Sequence, residues 1–99
     1  MKLLDAVKEL RIDNLSLMNR VYNTLENRLD WLSDREPESY GIVYDVWSEK
    51  YENLQEIIDI FEEFKDETDI EKKEDLIEEI QNGIENYQFT YGGLSRLKI

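Results

Sequence analysis

Residues 40–64 read YGIVYDVWSEKYENLQEIIDIFEEF and form the most regular stretch of the 99-residue sequence. Large apolar side chains recur there in alternating steps of four and three residues, which places them on one face of an α-helix. Val43, Ile57 and Phe64 widen this stripe, as expected for a helix that packs against two neighbours. The stripe itself consists of Tyr40, Tyr44, Trp47, Tyr51, Leu54, Ile58 and Phe61.

The start of this helix is the least regular part of the pattern. Residues 40–47 have high β propensity and Gly41 weakens a helix, so a short strand is the main alternative there. The stripe nevertheless runs on to Phe61, and we therefore predict a helix over roughly residues 36–66. Its N-terminus is marked by the segment SDREPE at residues 33–38, which offers capping side chains and a proline that fits the first helical turn.

The residues before this stretch predict a first helix, over about residues 2–33. Its apolar side chains fall in two runs, over residues 3–10 and 15–32, that are offset in phase at Asp13-Asn14. We favour a single continuous helix whose apolar stripe drifts around its axis. The alternative is a helix that breaks at that join and restarts.

The residues after the stretch predict a third helix, over about residues 69–90, with Thr68 or Asp69 as its cap. Gly83 costs this helix about 1 kcal/mol relative to alanine, and it lets a large side chain of a neighbouring helix approach. A pair of glycines then stops the helix and begins a tail at residues 92–99. The tail has three alternatives that the sequence leaves open: folding back on the acidic helices, binding a partner, or fraying.

Three long helices joined by short connections predict an all-α fold. The expected architecture is an up-down-up three-helix bundle of antiparallel helices, in a single domain over residues 1–99, with a short C-terminal tail. Helices of about 30 residues are roughly 45 Å long, which makes this bundle slender. Its wide apolar stripes leave area for pairing with a second copy, so a homodimer is a further expectation.

Charge is distributed unevenly along the chain, whose net charge is −12. Residues 1–33 are neutral, residues 34–86 carry 19 acids against five bases, and residues 87–99 add two bases. Such a chain repels polyanions, so we expect neither direct nucleic-acid binding nor membrane binding. The expected charged partner is a protein with a basic surface. A well-solvated helical surface is the alternative interpretation of the same charge.

Residue types that carry catalysis are scarce. The chain has no cysteine and no histidine, which excludes thiolate metal sites and removes the commonest general base. The acids that follow Asp66 lack the spacing of a calcium-binding loop, and no glycine loop suited to phosphate is present. We therefore expect no enzyme activity, no cofactor and no metal site. Charges near the N-terminus interrupt any signal-peptide core, so a soluble cytoplasmic protein is expected.

One arrangement of carboxylates resembles that of an enzyme family. Glu49 and Glu56 are each followed three residues later by another acid. This resembles the magnesium-binding Glu-x-x-Glu and Glu-x-x-Asp pairs of helical nucleotide pyrophosphohydrolases of the MazG type, which implies a Mg²⁺ site that faces inward between helices. The acid content alone predicts about as many such pairs as the chain contains, and these acids lie outside the apolar stripe. The pyrophosphohydrolase is therefore kept as a remote alternative.

The outward face of the second and third helices is the main candidate binding surface. Carboxylates that repeat along a rigid helix can take the place of phosphates in a cleft built for DNA or RNA. In size, charge and lack of catalytic groups the chain resembles small acidic inhibitors from phages and mobile elements, such as anti-restriction and anti-CRISPR proteins, which act in this way. The candidate contacts are Glu49, Glu52, Glu56, Asp59, Glu63, Asp66, Glu71, Asp75 and Glu78.

The alternative function is that of an adaptor or structural subunit that binds its partner through an apolar surface. The charge of the chain would then serve only solubility. Trp31 lies beside the stripe of the first helix rather than in it, and is the best single candidate for an exposed anchor. Such binding would fail when Trp31, Ile42 or Val46 is replaced by a charged residue. The tyrosines of the central stripe suit either an interface or the core, and we favour the core. The sequence favours neither nucleic-acid mimicry nor the adaptor over the other.

Overall fold

The structure, a computed structural model that describes residues 1–99, is all-α and contains no strand. Four helices pack against one another: α1 (Leu3–Lys8), α2 (Leu15–Ser33), α3 (Ile42–Asp66) and α4 (Ile70–Tyr91). The predicted all-α class is therefore confirmed. The predicted count of three helices is wrong, because the expected first helix is divided into α1 and α2. The molecule is elongated, with extents of 45 × 26 × 20 Å.

All four helices contribute to one hydrophobic core. α3 packs against α2 and α4, and the short α1 packs against the same two helices. The core is a single cluster of 19 buried apolar residues, and no polar or charged residue is buried. From the predicted stripe, the C-terminal half of α3 supplies Leu54, Ile57, Ile58, Phe61 and Phe64. The inner sides of the long helices are therefore used for packing, and every charged side chain stays at the surface.

The break between α1 and α2, at residues 9–14, is stabilised on both sides. Asn14 caps α2, because its side-chain oxygen accepts a hydrogen bond from the backbone N–H of Leu17 at 3.1 Å. The side-chain amide of Gln81, in α4, donates to the backbone oxygen of Val7 at 2.9 Å, which satisfies a carbonyl near the end of α1. The phase offset in the sequence therefore marks a real break, which lets both apolar runs face the same core.

α3 begins at Ile42 rather than near residue 36. Gly41 precedes the helix with φ 152° and ψ −161°, a conformation that residues with a side chain rarely adopt. Its carbonyl oxygen accepts the first hydrogen bond of the helix, from the N–H of Asp45 at 2.9 Å. Gly41 is thus the starting point of α3, and the strand considered for residues 40–47 does not form.

The N-terminal half of the central stripe is only partly covered. Tyr40 precedes the helix and is 86% exposed, Val43 is 72% exposed, and Tyr44, Trp47 and Tyr51 are half-buried. The rings of the four aromatic residues contact one another in sequence, with centroids 4.7, 5.6 and 5.5 Å apart. The expectation that these tyrosines pack in the core is therefore wrong for Tyr40, and the others form a row at the edge of the core.

The start and the middle of α4 follow the sequence expectations closely. Asp69, rather than Thr68, caps the helix, and its side chain accepts a hydrogen bond from the N–H of Glu71 at 2.9 Å. A Cβ atom at Gly83 would lie only 3.1 Å from Cγ1 of Ile57 in α3. The glycine therefore permits the close approach of a large neighbouring side chain, as predicted.

Residues 92–99 fold back across the N-terminus. Leu94 is fully buried in the core, and its backbone N–H donates to the side-chain oxygen of Gln88 at 2.8 Å. The N–H of Leu3 donates to the carbonyl oxygen of Leu97 at 2.8 Å, which joins the tail to the start of α1. Of the three alternatives for the tail, the structure therefore shows folding back, onto the N-terminal segment rather than onto the acidic sides of the long helices.

Candidate protein-interaction surfaces

All nine carboxylates predicted to contact a partner are exposed, on the sides of α3 and α4 that turn away from the core. The α3 row runs from Glu49 to Asp66, which is about 25 Å at 1.5 Å per residue. The α4 row runs from Glu71 to Glu78, and Glu85 continues it on the same side. Both rows lie on helices that share one core, so the fold fixes their positions. We term them the acidic face: Glu49, Glu52, Glu56, Asp59, Glu63, Asp66, Glu71, Asp75 and Glu78.

Neighbouring side chains orient two of these acids. The hydroxyl of Tyr91 donates to Glu49 at 3.4 Å, and the amide of Gln55 donates to Asp59 at 3.0 Å. Burial, together with the Glu49 carboxylate, raises the pKa of Tyr91 above its usual value. The four acids that resemble a pyrophosphohydrolase motif are all exposed, and no group of three or more acidic side chains is arranged to hold a metal ion. The acidic face is an outward surface rather than a cleft.

An exposed aromatic side chain lies at the end of the α4 row. Phe89 is 93% exposed, and it follows Glu85 by four residues, so both lie on the acidic side of α4. Phe89 is not among the contacts predicted from the sequence. The signal for it is its spacing, because it falls outside the helical repeat of the buried α4 residues Ile77, Ile80, Ile84 and Tyr87. A large apolar side chain this exposed is a candidate anchor for a partner.

A second surface is an apolar groove at the end of the molecule where α2 ends and α3 begins, with a volume of about 420 Å³. The predicted anchor Trp31 and the predicted edge residues Ile42 and Val46 all line it. Trp31 is 39% exposed, Ile42 83% and Val46 42%. We term this site the α2–α3 groove; it is lined by Trp31, Leu32, Arg35, Pro37, Ile42, Val43, Val46, Trp47 and Lys50.

The groove exists because α4 is too short to cover the start of α3. α4 ends at Tyr91, whose hydroxyl accepts a hydrogen bond from the side-chain amide of Asn53 at 2.8 Å and donates the one to Glu49. Residues 42–48 therefore extend past the end of α4, and we term them the α3 overhang. The chain turns away at Gly92 towards α1. Along the rest of α3, one side is covered by α4, but over the α3 overhang that side is open to solvent.

Trp31 forms one wall of the groove and is held between two arginines. The guanidinium carbon of Arg28 lies 3.6 Å from the centroid of the indole ring, and that of Arg35 lies 3.8 Å from it. Arg35 also donates a hydrogen bond to the backbone oxygen of Trp31 at 2.9 Å. Both cations are attracted to the electron-rich faces of the ring. The tryptophan is therefore ordered before any partner arrives, which lowers the entropy cost of binding.

The groove differs in charge from the surface around it. Its lining contains Arg35 and Lys50 and no carboxylate, although residues 34–86 carry 19 acids against five bases. Neither cation is predicted from the sequence, but Lys50 follows Val46 by four residues and so shares its side of α3. The lining therefore suits an apolar segment that has acidic residues beside it.

No helix combines the length and the apolarity needed to span a membrane. In comparisons with known proteins, no family model, no curated protein and no solved structure matches the chain. The acidic face and the α2–α3 groove are the two surface features that a function must account for.

Proposed function

We propose that this protein is a non-enzymatic interaction module that inhibits a nucleic-acid-binding protein by occupying its basic cleft with the acidic face. The main support is the position of the nine carboxylates, which are all exposed in two rows on long helices, with the core on the opposite sides. The proposed partner is a protein with a basic surface. The proposed class is that of phage anti-defence inhibitors, such as anti-CRISPR and anti-restriction proteins.

The dimensions of the α3 row suit this role. At about 25 Å it is as long as roughly seven base-pair steps of 3.4 Å each. Carboxylates three or four residues apart on one side of a helix repeat at about 5–6 Å. A cleft whose lysines and arginines follow a phosphate backbone therefore meets a comparable series of negative charges. Phe89, at the end of the neighbouring row, adds an apolar contact that phosphates cannot offer.

The experiment that tests this function is a pull-down with the tagged full-length chain from a nuclease-treated lysate of the source. Captured proteins are compared after low-salt and high-salt washes and identified by mass spectrometry. We expect a nucleic-acid-binding protein that is released by high salt, since exposed ion pairs are screened. In a second step the purified chain should displace labelled DNA or RNA from that protein. Simultaneous binding of both would contradict the proposal.

A matched pair of variants separates the acidic face from net charge. Both variants neutralise four exposed acids, so they change the net charge equally. The face variant carries Glu52→Gln, Glu56→Gln, Glu63→Gln and Asp66→Asn. The control variant carries Glu9→Gln, Asp13→Asn, Glu26→Gln and Asp30→Asn.

The face variant is expected to bind the captured protein more weakly than the control variant does. At about 0.5 kcal/mol for each exposed charge pair, four pairs contribute about 2 kcal/mol, or roughly 30-fold in affinity. The control variant should bind like the original chain. Equal affinity of the two variants would show that the acidic face is not the contact surface.

A second candidate, an adaptor or structural subunit that pairs through an apolar helix surface, is favoured by the convergence of Trp31, Ile42 and Val46 on one groove. In that case the captured partner stays bound at high salt, because apolar contacts are not screened. It is lost when Ile42→Asp places a charge in the groove, whereas the face variant retains it. The two candidates thus predict opposite responses to the same wash and the same pair of variants.

A further inference from the structure

We propose that the α2–α3 groove binds a short amphipathic helix of a partner protein, whose apolar stripe enters the groove and whose flanking acidic residues meet Arg35 and Lys50. This inference goes beyond the inhibitor function, which uses the acidic face. It rests on the second candidate function only in using the same groove, and it adds the chemistry of the segment that the groove accepts.

Large apolar side chains are exposed side by side along the groove. Ile42, Val43, Val46 and Trp31 are all exposed and all belong to its lining. Scattered apolar residues are ordinary on protein surfaces, but a contiguous apolar patch marks an interaction site. The part of the occupant that enters the groove must therefore be apolar.

The position of the groove on α3 indicates that its occupant is a helix. In helical steps of four and three residues, Val46 and Lys50 of the groove lead to Asn53, Ile57 and Ile60, which line the cleft between α3 and α4. The groove thus continues, along the same side of α3, the place that α4 itself occupies. The α3 overhang is about 10 Å long, so two turns of an amphipathic helix cover it, with apolar anchors at i, i+3, i+4 and i+7.

Two cations define the charge that the occupant carries. Arg35 and Lys50 are the only charged residues in the lining. Lys50 ends the α3 wall eight residues, or about 12 Å, after Ile42. Arg35 lies on the wall formed by the end of α2, with its guanidinium carbon 3.8 Å from the ring centroid of Trp31. A carboxylate beside the apolar stripe of the occupant therefore has a cation to meet on either wall.

The net charge of −12 limits this acidity to a few residues. Asp34, Glu36 and Asp45 lie near the groove in sequence but outside its lining, and they repel a strongly acidic segment. Charges more than ~8 Å apart are largely screened at physiological salt, so close contacts decide the preference. The fitting segment is mainly apolar, with acids only where it contacts the two cations.

Neither the tail of this chain nor the α3 overhang of a second copy offers such a segment. Leu94 anchors the tail in the core, and the carbonyl oxygen of Leu97 accepts a hydrogen bond from the N–H of Leu3. The overhang of a second copy is apolar, but its acids Asp45 and Glu49 are absent from the side that lines the groove. A partner of different sequence is therefore the better fit.

The first test is a selection from a display library of helical peptides. Each peptide carries leucines at i, i+3, i+4 and i+7 and random residues beside them, without tryptophan, so that its charge is not prescribed. Peptides are selected that bind the full original chain at ~0.15 M salt and do not bind Ile42→Asp. This variant places a charge in the groove and is expected to fold, because an acid in the first turn of a helix is favourable.

We expect the selected peptides to carry more acids than bases at the random positions. Phe89→Asp, which makes the same kind of change at an exposed site outside the groove, should retain the same peptides as the original chain does. Loss of binding in both variants would show that the peptides respond to added charge rather than to the groove.

Tryptophan fluorescence reports where a selected peptide binds. The chain has two tryptophans, Trp31 and Trp47, and both line the groove. A peptide in the groove should therefore change the tryptophan emission during a titration, and it adds no tryptophan signal of its own. A peptide on the acidic face should leave the emission unchanged.

Charge reversal at Lys50 tests the acidic contact. Lys50→Glu should weaken the binding of a selected acidic peptide about five-fold, because one exposed ion pair is lost and one repulsion is gained. Lys72→Glu makes the same change at an exposed site in the first turn of α4, and should bind the peptide like the original chain. The same peptide with lysines in place of its acids should bind Lys50→Glu more tightly than Lys72→Glu.

Three results would overturn the inference. If no peptide distinguishes the original chain from Ile42→Asp, the groove does not accept a helix. If the selected peptides show no excess of acids, or if Lys50→Glu and Lys72→Glu bind them equally, the acidic contact is wrong. If the chain alone forms a dimer in sedimentation velocity that Ile42→Asp abolishes, a second copy is the occupant.

The two functions proposed above are judged by other results. A partner captured from the lysate that is lost with Ile42→Asp but kept by Lys50→Glu would support an adaptor without the acidic contact. The inhibitor function depends on the response of its captured partner to the face variant, which leaves the groove unchanged. Each proposal can therefore fail while the others stand.

Discussion

The indole nitrogen of Trp47, in α3, donates a hydrogen bond to the backbone carbonyl oxygen of Leu32, at the end of α2, over 2.8 Å. The same oxygen accepts a hydrogen bond from the backbone N–H of Arg35 at 3.0 Å, so the indole is a second donor to it, contributed by another helix. This bond joins the end of α2 to the α3 overhang, the two elements that form the walls of the groove.

Replacing this donor should destabilise the fold measurably. Trp47→Phe retains an aromatic ring but removes the N–H group, and we expect a loss of about 0.5–1.5 kcal/mol in the free energy of unfolding, measured in urea. Trp31→Phe is the control, since the structure shows no hydrogen bond from the Trp31 indole, and it should cost less than about 0.5 kcal/mol. Equal losses in both variants would mean that ring packing, not the hydrogen bond, stabilises this end.

Gly83 should resist replacement by a residue that helices otherwise favour. Helix propensity alone predicts that Gly83→Ala gains about 1 kcal/mol. The added Cβ would meet Cγ1 of the buried Ile57 at 3.1 Å, however, and crowding of a packed core typically costs ~1–3 kcal/mol. We therefore expect Gly83→Ala to lower the free energy of unfolding by about 1 kcal/mol in urea titrations.

The matched background for this prediction is Ile57→Ala, which removes the side-chain atoms that the new methyl group would meet. In that background Gly83→Ala should raise stability, because the propensity gain remains and the crowding is gone. Gly83→Ala is thus expected to lower the free energy of unfolding in the original chain and to raise it in the Ile57→Ala background. A change of the same sign in both would show that contact with Ile57 is not what disfavours a side chain at position 83.

The sequence predicts the features that depend on periodicity, and it misses those that depend on where helices end relative to one another. The stripe from Leu54 to Phe64 and the exposure of the acidic face both follow from spacing alone. The late start of α3 depends on the unusual backbone of Gly41, which composition presents only as a weak helix former. The groove depends on α4 stopping beside Asn53, a three-dimensional relationship with no local signal.

Two residues illustrate this limit. Ile70 keeps helical spacing with the buried Ile77 and Ile84 but is exposed, because it lies at the first turn of its helix. The sequence leaves three alternatives open for the tail, and the full burial of Leu94 decides between them. A single apolar residue in a short segment carries no periodic pattern, and its burial becomes apparent only when the opposite end of the chain is placed beside it.

The tail should therefore contribute strongly to stability. Leu94→Ala removes a fully buried side chain from the core and is expected to cost about 2–5 kcal/mol in the free energy of unfolding. Leu15→Ala makes the same change at an exposed leucine and should cost less than about 0.5 kcal/mol. Thermal or urea unfolding followed by circular dichroism would measure both. A tail that merely frays would give similar small losses.

The stability of the fold should decline at alkaline pH, partly through Tyr22. Burial, followed by its interactions with Glu26 and Glu62, raises the pKa of this phenol from 10.0 to about 12. Its hydroxyl donates to the carboxylate of Glu62 at 3.2 Å, and its ring contacts that of Phe61 with centroids 5.7 Å apart. Ionisation would place a phenolate beside two carboxylates, so the folded protein retains the proton at a pH where the unfolded chain loses it.

The direction in which stability changes with pH follows from proton linkage. Below pH about 10 the phenol is protonated in both states, and its contribution to stability is constant. Between pH about 10 and about 12 the unfolded chain binds fewer protons than the folded one, so stability falls as pH rises.

Tyr22→Phe cannot ionise, and its stability should fall less steeply over this range. Glu62→Gln, which removes one nearby charge, should give an intermediate slope. Urea unfolding across this range, with a tyrosinate absorbance titration of the folded state, would test both slopes. Parallel curves for the original chain and Tyr22→Phe would show that other groups, such as Tyr87, whose pKa is also raised by burial, account for the alkaline loss.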